Sequence, residues 1–277
     1  DHFGKWHLGD MAPYRPEDRG FDETVHLGGA ATAQSPDYWN NDNFDDHYTH
    51  NGDIEQYEGY CTDVWFDESM DFMKRCQAEE TPFFCYLATN APHNPLWVAD
   101  EYRDRYRDQV AELECFSDDI SEVRPASFFG MIDNIDENMG RLEDFLAETG
   151  LKENTIVVWM TDNGGTVGVD MYNAGMRGQK GSLYDGGHRV PCFVRWPGGN
   201  LRAPTDIDTL TGIQDIFPTL LDLCEIPPPR GSQFDGNTIA PLLRGTGRDL
   251  QDRMIVVQYS SSPTASRSRT TRPPSRS

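Results

Sequence analysis

The sequence predicts an α/β domain in which strands and helices alternate, and three observations carry that prediction. Three short apolar runs, PFFCYLATNAPHNP from Pro82, TIVVWMTDNGG from Thr155 and VPCFVRWPGG from Val190, are rich in β-branched and aromatic residues, and each closes in a polar or glycine-rich loop. Segments with helical spacing lie between and after them. At 277 residues, 37% hydrophobic and 11% aromatic, the chain is long enough to bury a substantial core.

Along the chain, GKWHLGD (residues 4–10) is too polar for a core strand and too glycine-rich for a helix, so it reads as a loop that presents Lys5 and His7. Trp6 and Leu8 are expected to anchor it. Residues 62–77, TDVWFDESMDFMKRCQ, read as a helix with Val64, Met70, Phe72 and Met73 among its apolar positions. PFFCYLA then reads as a strand and NAPHNP as the loop carrying His93. From Phe128 the residues Ile132, Ile135, Met139, Leu142 and Leu146 follow at spacings of four and three, a helix stripe that Gly150 stops. TIVVWM reads as a buried strand ending in an Asn-Gly turn at TDNGG, where Asp162 and Asn163 sit. RGQKGSLYDGGHRVP carries Lys180 into the third strand, and residues 213–224 look helical despite Pro218. In sheets of this kind the reactive groups occupy loops beyond the strand ends.

Composition sets limits. No run approaches the roughly 18 apolar residues that a membrane-spanning helix needs. The chain opens on Asp1 without a charged and apolar leader, so a signal peptide is either removed or outside the sequence. The six cysteines (Cys61, Cys76, Cys85, Cys115, Cys192, Cys224) form no CxxC pair and no zinc spacing. They read mostly as buried thiols, with one or two bridges open if the protein is exported. Net charge is −22, and a tail from Ser260 holds Arg267, Arg269, Arg272 and Arg276 with no acid, so the rest carries −26. Residues 1–259 are expected to form the domain. Residues 260–277 read as a disordered or out-of-frame basic tail, with a nucleic-acid arm as the functional alternative.

Each polar loop has an ordinary structural explanation as a turn. Together they describe a receiver for a tetrahedral oxyanion beside a hard cation. Lys5 and Lys180 supply point charge and rotatable donors. The Asp162 carboxylate and Asn163 carbonyl are hard oxygen ligands suited to calcium or magnesium. His7 and His93 can give a proton to a leaving alkoxide and take one in a later step.

GKWHLGD, APHNP, TDNGG and KGSLYDGGHRVP, in that order, resemble the type I sulfatases, the formylglycine-dependent arylsulfatase family of the alkaline-phosphatase-like superfamily; PYRPEDRGFDE and FFGMIDNIDENMGRL add to the resemblance. It runs from about Asp1 to about Gln258. It implies a layered domain with a central mixed β-sheet flanked by helices, incomplete at both ends. It further implies that Lys5 binds a sulfate oxygen, and that His7 takes the remaining hydroxyl proton of a sulfated aldehyde hydrate. His93 and Lys180 would hold the sulfate and protonate the departing alcohol, and Asp162 and Asn163 would supply half of a calcium shell, with magnesium as the alternative. The implied substrate is a sulfated small molecule or glycan, not nucleic acid. The implied location is periplasmic or secreted.

The sequence departs from that pattern at the nucleophile. The family makes formylglycine from the Cys or Ser of CxPxR or SxPxR, through a formylglycine-generating or anaerobic sulfatase-maturating enzyme. Neither motif is present; MAPYR and RPPSR are near matches that lack the leading Cys or Ser. The expectation is a chain that begins in mid-domain, with first strand, nucleophile and an Asp-Asp pair upstream, and that does not turn over by itself. RMIVVQY (residues 253–259) resembles a strand leading to a small C-terminal subdomain, also expected to be missing. The alternatives are a phosphoester or phosphonate hydrolase of the same superfamily and a non-catalytic binder of sulfated glycans.

Overall fold

The computed structural model describes residues 1–112, 119–247, 250 and 253–258. Cys115 and the basic tail lie outside the described residues. Two compact units are present: Asp1–Trp159 with Thr166–Ala174 and Phe193–Ala203, and Met160–Gly165 with Gly175–Cys192 and Pro204–Ser277.

The first unit is built on a mixed five-stranded sheet. Strands β1 (His2–Lys5), β2 (Thr24–Leu27), β3 (His47–His50), β4 (Asp53–Gln56) and β5 (Tyr86–Ala88) stand in the order β4-β3-β2-β1-β5. β1 runs parallel to both β2 and β5, and β3 runs antiparallel to β2 and β4. The β2 to β4 strands had no clear alternation in the sequence. They are held by pairing and by a loop at residues 37–46 whose acids cap their own backbone: Asp46 accepts the N–H groups of Asp42 and Asn43 at 2.8 and 2.9 Å.

Helix α1 (Cys61–Ala78) matches the predicted segment to within one residue at each end. Its buried face places Val64, Trp65, Phe72 and Met73 with Phe3, Val25, Leu27 and Tyr48 in one core, which Leu142 and Leu146 close from another helix. Fully burying such a side chain contributes about 1.5–3 kcal/mol, so this cluster is the main source of the unit's stability.

That other helix, α3 (Asp119–Glu148), follows α2 (Asp100–Ala111) and starts well before Phe128, with Pro125 inside it. Leu142 and Leu146 of the apolar stripe are buried as expected, but around Ile132 the buried face is shifted from the stripe. Ile132 is 40% exposed, whereas Met131, Asn134 and Asn138 are buried. The cause is a polar seam: Asp63 of α1 accepts hydrogen bonds from Asn134 at 2.9 Å and Asn138 at 2.6 Å. Buried amides are stable only when partnered, and Asp63 is that partner. Gly150, at φ +75°, ends the helix as expected.

Strands β6 (Val157–Met160) and β7 (Cys192–Arg195) form a separate two-stranded sheet. They are less buried than their composition predicts, with Phe193 65% exposed. Each has one side without a strand partner among the described residues, and so does β5. Exposure of the sheet face also leaves Cys192 exposed. Cys224, at the end of α5, is exposed too, so among the described cysteines only Cys61 and Cys76 fit the expectation of buried thiols fully.

In the second unit a 3₁₀ turn at Ile213–Asp215 leads into α5 (Ile216–Leu223). Pro218 lies in the first turn, where its missing N–H removes no helical bond. Fully buried Asp215 joins three segments: it accepts Gly212 N–H at 2.8 Å, Asn237 N–H at 2.8 Å and the Arg253 guanidinium at 2.6 Å. Burial alone would raise its carboxyl; Arg253 and the two backbone donors outweigh burial and hold it below the usual range. Among the described residues no helix is long and apolar enough to cross a membrane.

His2 is a buried titratable group at the centre of the first unit. It stacks on Tyr86 at 5.3 Å and meets Trp6 edge-on at 5.2 Å. Neither ring nitrogen has a partner in bonding geometry. Burial, then the nearby His26, pushes its pKa down from 6.5 to about 3. The unfolded chain therefore takes a proton below pH 6.5 that the folded chain refuses, so stability falls as pH drops from 6.5 towards 3. By pH 5 this costs about 2 kcal/mol. Denaturant unfolding at pH 7 and pH 5 should show that loss in the parent and a clearly smaller one in His2→Phe; equal losses would remove His2 as the cause.

Candidate active site

The six predicted site residues fall into two groups, one in each unit. In the first unit, β1 and β5 run parallel, so the loops after Lys5 and Ala88 leave the same edge of the sheet. Gly4 makes that pairing close. It has φ +108°, and a Cβ there would stand 2.1 Å from the carbonyl oxygen of Ala88. Lys5 is half-buried, and His7 is exposed at φ +56°. The loop is fastened by Trp6, which packs edge-on against His2 and Phe21 and donates its Nε1–H to Tyr14 O at 2.8 Å. Leu8 does not anchor it: at 68% exposure it faces solvent, because Asp10 takes over by accepting Gly29 N–H at 2.8 Å.

His93 lies on the loop after β5. Its Nδ1 is 2.8 Å from Asn94 O, an atom that only accepts, so the neutral ring carries its proton on Nδ1 and leaves Nε2 as the acceptor. The loop itself hangs on Asn90, which sequence reasoning missed. Buried Asn90 accepts Trp65 Nε1–H at 2.9 Å and donates to Thr32 at 3.2 Å and Asn43 at 3.3 Å, while its carbonyl takes His93 N–H at 2.9 Å. An asparagine ahead of Ala-Pro was the only signal available for it.

In the second unit, Asp162, Asn163 and Lys180 share one backbone assembly. Gly164 N–H bonds to Gly187 O at 3.0 Å, and Lys180 N–H bonds to Gly165 O at 3.0 Å, stitching TDNGG to RGQKGSLYDGGH. Gly186 N–H returns to Arg177 O at 2.9 Å. The strands of chain touch where only glycine fits: a Cβ on Gly164 would lie 1.8 Å from Gly186 O, and one on Gly186 would lie 2.1 Å from Gly178 O. What looked like turn punctuation is therefore a lock. A short helix, α4 (Asp185–His188), closes it.

The donor set fits half of a hard-cation site. Asp162 is exposed, with no hydrogen-bond donor on its carboxylate among the described residues. The Asn163 amide nitrogen donates to Gly164 O at 3.1 Å, which leaves its carbonyl oxygen for a ligand. Among the described residues no group of three His, Cys, Asp or Glu could hold a metal ion.

The sulfatase family model matches residues 1–226. The chain belongs to the sulfatase family. The N-acetylgalactosamine-6-sulfatase of Canis lupus familiaris is 30% identical over 270 residues, covering 91% of this chain and 47% of that protein. Among solved structures, Ps i-CgsB in complex with k-i-k-neocarrahexaose is 28% identical at a TM-score of 0.74, covering 88% of this sulfatase and 55% of that chain. A protein solved with its substrate D-glucosamine-2-N,6-O-disulfate has the same TM-score at 18% identity, a likeness of fold. The fold is the alkaline-phosphatase-like one that the motifs implied. This sulfatase chain spans about half the length of the curated relatives it matches.

Gly164→Ala is expected to destabilise by about 1–3 kcal/mol or more, because backbone cannot yield as a side chain does. Gly140→Ala, in α3 with nothing near its Cβ, should be neutral or stabilising by up to about 1 kcal/mol. Thermal melting of both variants checks the lock: equal melting temperatures would show that the second unit adapts around residue 164.

Proposed function

We propose that the complete protein is a sulfuric ester hydrolase acting on a carbohydrate sulfate, and that Lys5, His7 and His93 of the first unit and Lys180, Asp162 and Asn163 of the second take part in its reaction. The observation that supports this most directly is the glycine lock, which fixes two hard oxygen ligands and a lysine on one rigid scaffold. The carbohydrate preference rests on the relatives: one is an N-acetylgalactosamine-6-sulfatase and another holds a neocarrahexaose.

Lys180 and Lys5 bind sulfate oxygens and neutralise the charge that grows on them. In a water-poor site, fixed donors of this kind carry the largest share of rate enhancement. His93, with its proton on Nδ1 in the neutral ring, becomes an acid for the departing alcohol when Nε2 is also protonated. His7 accepts the proton released in the second half of the cycle. Asp162 and Asn163 hold a hard cation, calcium by family resemblance, which supplies Lewis-acid polarisation of the sulfate when bound. The nucleophile expected of the family, formylglycine, requires a CxPxR or SxPxR motif that the 277 residues do not contain. A maturating enzyme would act on that motif.

Binding therefore tests the reading on the chain as it stands. Calorimetric titration with N-acetylgalactosamine 6-sulfate should give an affinity that Lys180→Ala and His93→Ala each lower about tenfold or more, the equivalent of about 1.4 kcal/mol. Affinities unchanged in both variants would overturn the assignment. A matched phosphate monosaccharide bound more tightly than the sulfate would favour the phosphoester alternative. Asp162→Asn should weaken calcium binding measured without substrate.

A further inference from the structure

The loop that carries Lys180 holds a second cation for which the reaction has no use. Arg177 lies three residues earlier. Its guanidinium sits 3.6 Å from the centroid of the Tyr184 ring, closer than the other cation–π pairs, at 5.0 and 4.5 Å. Arg177 is exposed and Tyr184 is 46% exposed, so the pair faces solvent rather than core.

Neither cation is neutralised. The chain has 46 acids against 24 lysines and arginines, and Arg15, Arg75, Arg103, Arg105, Arg141, Arg195, Arg244 and Arg253 each have a carboxylate within 4 Å. No described carboxylate reaches Arg177 or Lys180 in that way, as none reaches Arg19, Arg107, Arg124, Arg189, Arg202 or Arg230. The backbone under both is held: Gly186 N–H bonds to Arg177 O, and Lys180 N–H bonds to Gly165 O. Two cations on one loop without a carboxylate partner are open to a bound anion.

Stacking also sets what the arginine can do. With one face covered by Tyr184, its N–H groups radiate in the plane of the guanidinium and present a fork to a pair of anionic oxygens. The Cα atoms of Arg177 and Lys180 are at most about 11 Å apart, so the two side chains are close enough to serve one oligosaccharide.

We infer that Arg177, laid on Tyr184, is a specificity-determining residue that takes a second anionic group, a sulfate or a carboxylate, on the glycan whose first sulfate Lys180 holds. The inference rests on the carbohydrate-sulfate reading above and narrows it to substrates carrying more than one negative charge.

Two pairs of probes test it by calorimetry on the 277-residue chain. Glucosamine 6-sulfate against glucosamine 2-N,6-O-disulfate reads a second sulfate, and N-acetylgalactosamine 6-sulfate against its uronate-linked disaccharide reads a carboxylate. In the parent, at least one doubly charged member should bind about fivefold or more tighter than its partner. Arg177→Gln and Tyr184→Leu should abolish that gain and leave the singly sulfated sugar within about twofold, while Tyr184→Phe, which keeps the ring, should preserve the gain. No gain in either pair overturns the inference. So does an Arg177→Gln variant that weakens both members of a pair equally, because that is the signature of a loop support. Lys180→Ala should weaken both members alike, and its failure to do so would count against the sulfate site and not against Arg177.

Discussion

A side chain at position 164 would place its Cβ 1.8 Å from the carbonyl oxygen of Gly186, and one at position 4 would place it 2.1 Å from that of Ala88. Both are contacts of backbone with backbone, and the candidate site depends on them. The first brings the Asp162–Asn163 pair and Lys180 onto one scaffold. The second lets β5 lie against β1, so Lys5 at the end of β1 and the loops bearing His7 and His93 stand at one sheet edge. Side chains cannot substitute for this, because a packed side chain can rotate away under strain, whereas a backbone carbonyl moves only with its peptide. Loops held this way present charged groups without the rotational freedom that loops usually have.

The supporting structure uses buried polar ties where an apolar reading expects hydrocarbon. Asp63 with Asn134 and Asn138 joins α1 to α3, Asn90 hangs the His93 loop on Trp65, and Asp215 draws three segments of the second unit onto one carboxylate. Each is directional, so it sets the angle and register that hydrophobic burial leaves free. Each also carries an asymmetric penalty. Removing one partner strands the other without water, which costs more than the bond contributed.

Those ties explain which parts of the structure were legible in the sequence. Helix α1 and α5 were readable because their buried faces are apolar and periodic. The phase of α3 was legible at Leu142 and Leu146 but not around Ile132, since Asn134 and Asn138 look like solvent-facing residues until Asp63 is known to face them. The helix also starts before Phe128 and runs through Pro125. Strand identity was legible at TIVVWM and VPCFV, but burial was not, because it depends on what stands beside a strand. The site motifs were legible as residue types and, except at Gly4 and Lys5, as loop positions; those two residues end β1, because Gly4 pairs closely with Ala88 where a side chain would not fit. The fastening of the motifs was not: Leu8 looked like an anchor and is exposed, and Asn90 looked like loop and is the anchor.

Charge gives the last constraint on how such a site meets its ligand. The chain is acidic overall at −22, so a polyanion approaching at low ionic strength is repelled before it reaches any lysine. At physiological ionic strength that long-range field is cut off beyond about 8 Å, whereas charges about 4 Å apart still interact. Salt therefore removes the repulsion faster than the attraction. A site made of short-range, fixed cations on an acidic body favours its ligand most where the medium is saline enough to hide the body and contact is close enough to keep the pocket. Among the described residues no carboxylate lies within 4 Å of Arg177 or Lys180, so a contact with either cation would be the kind of short-range interaction that salt leaves in place.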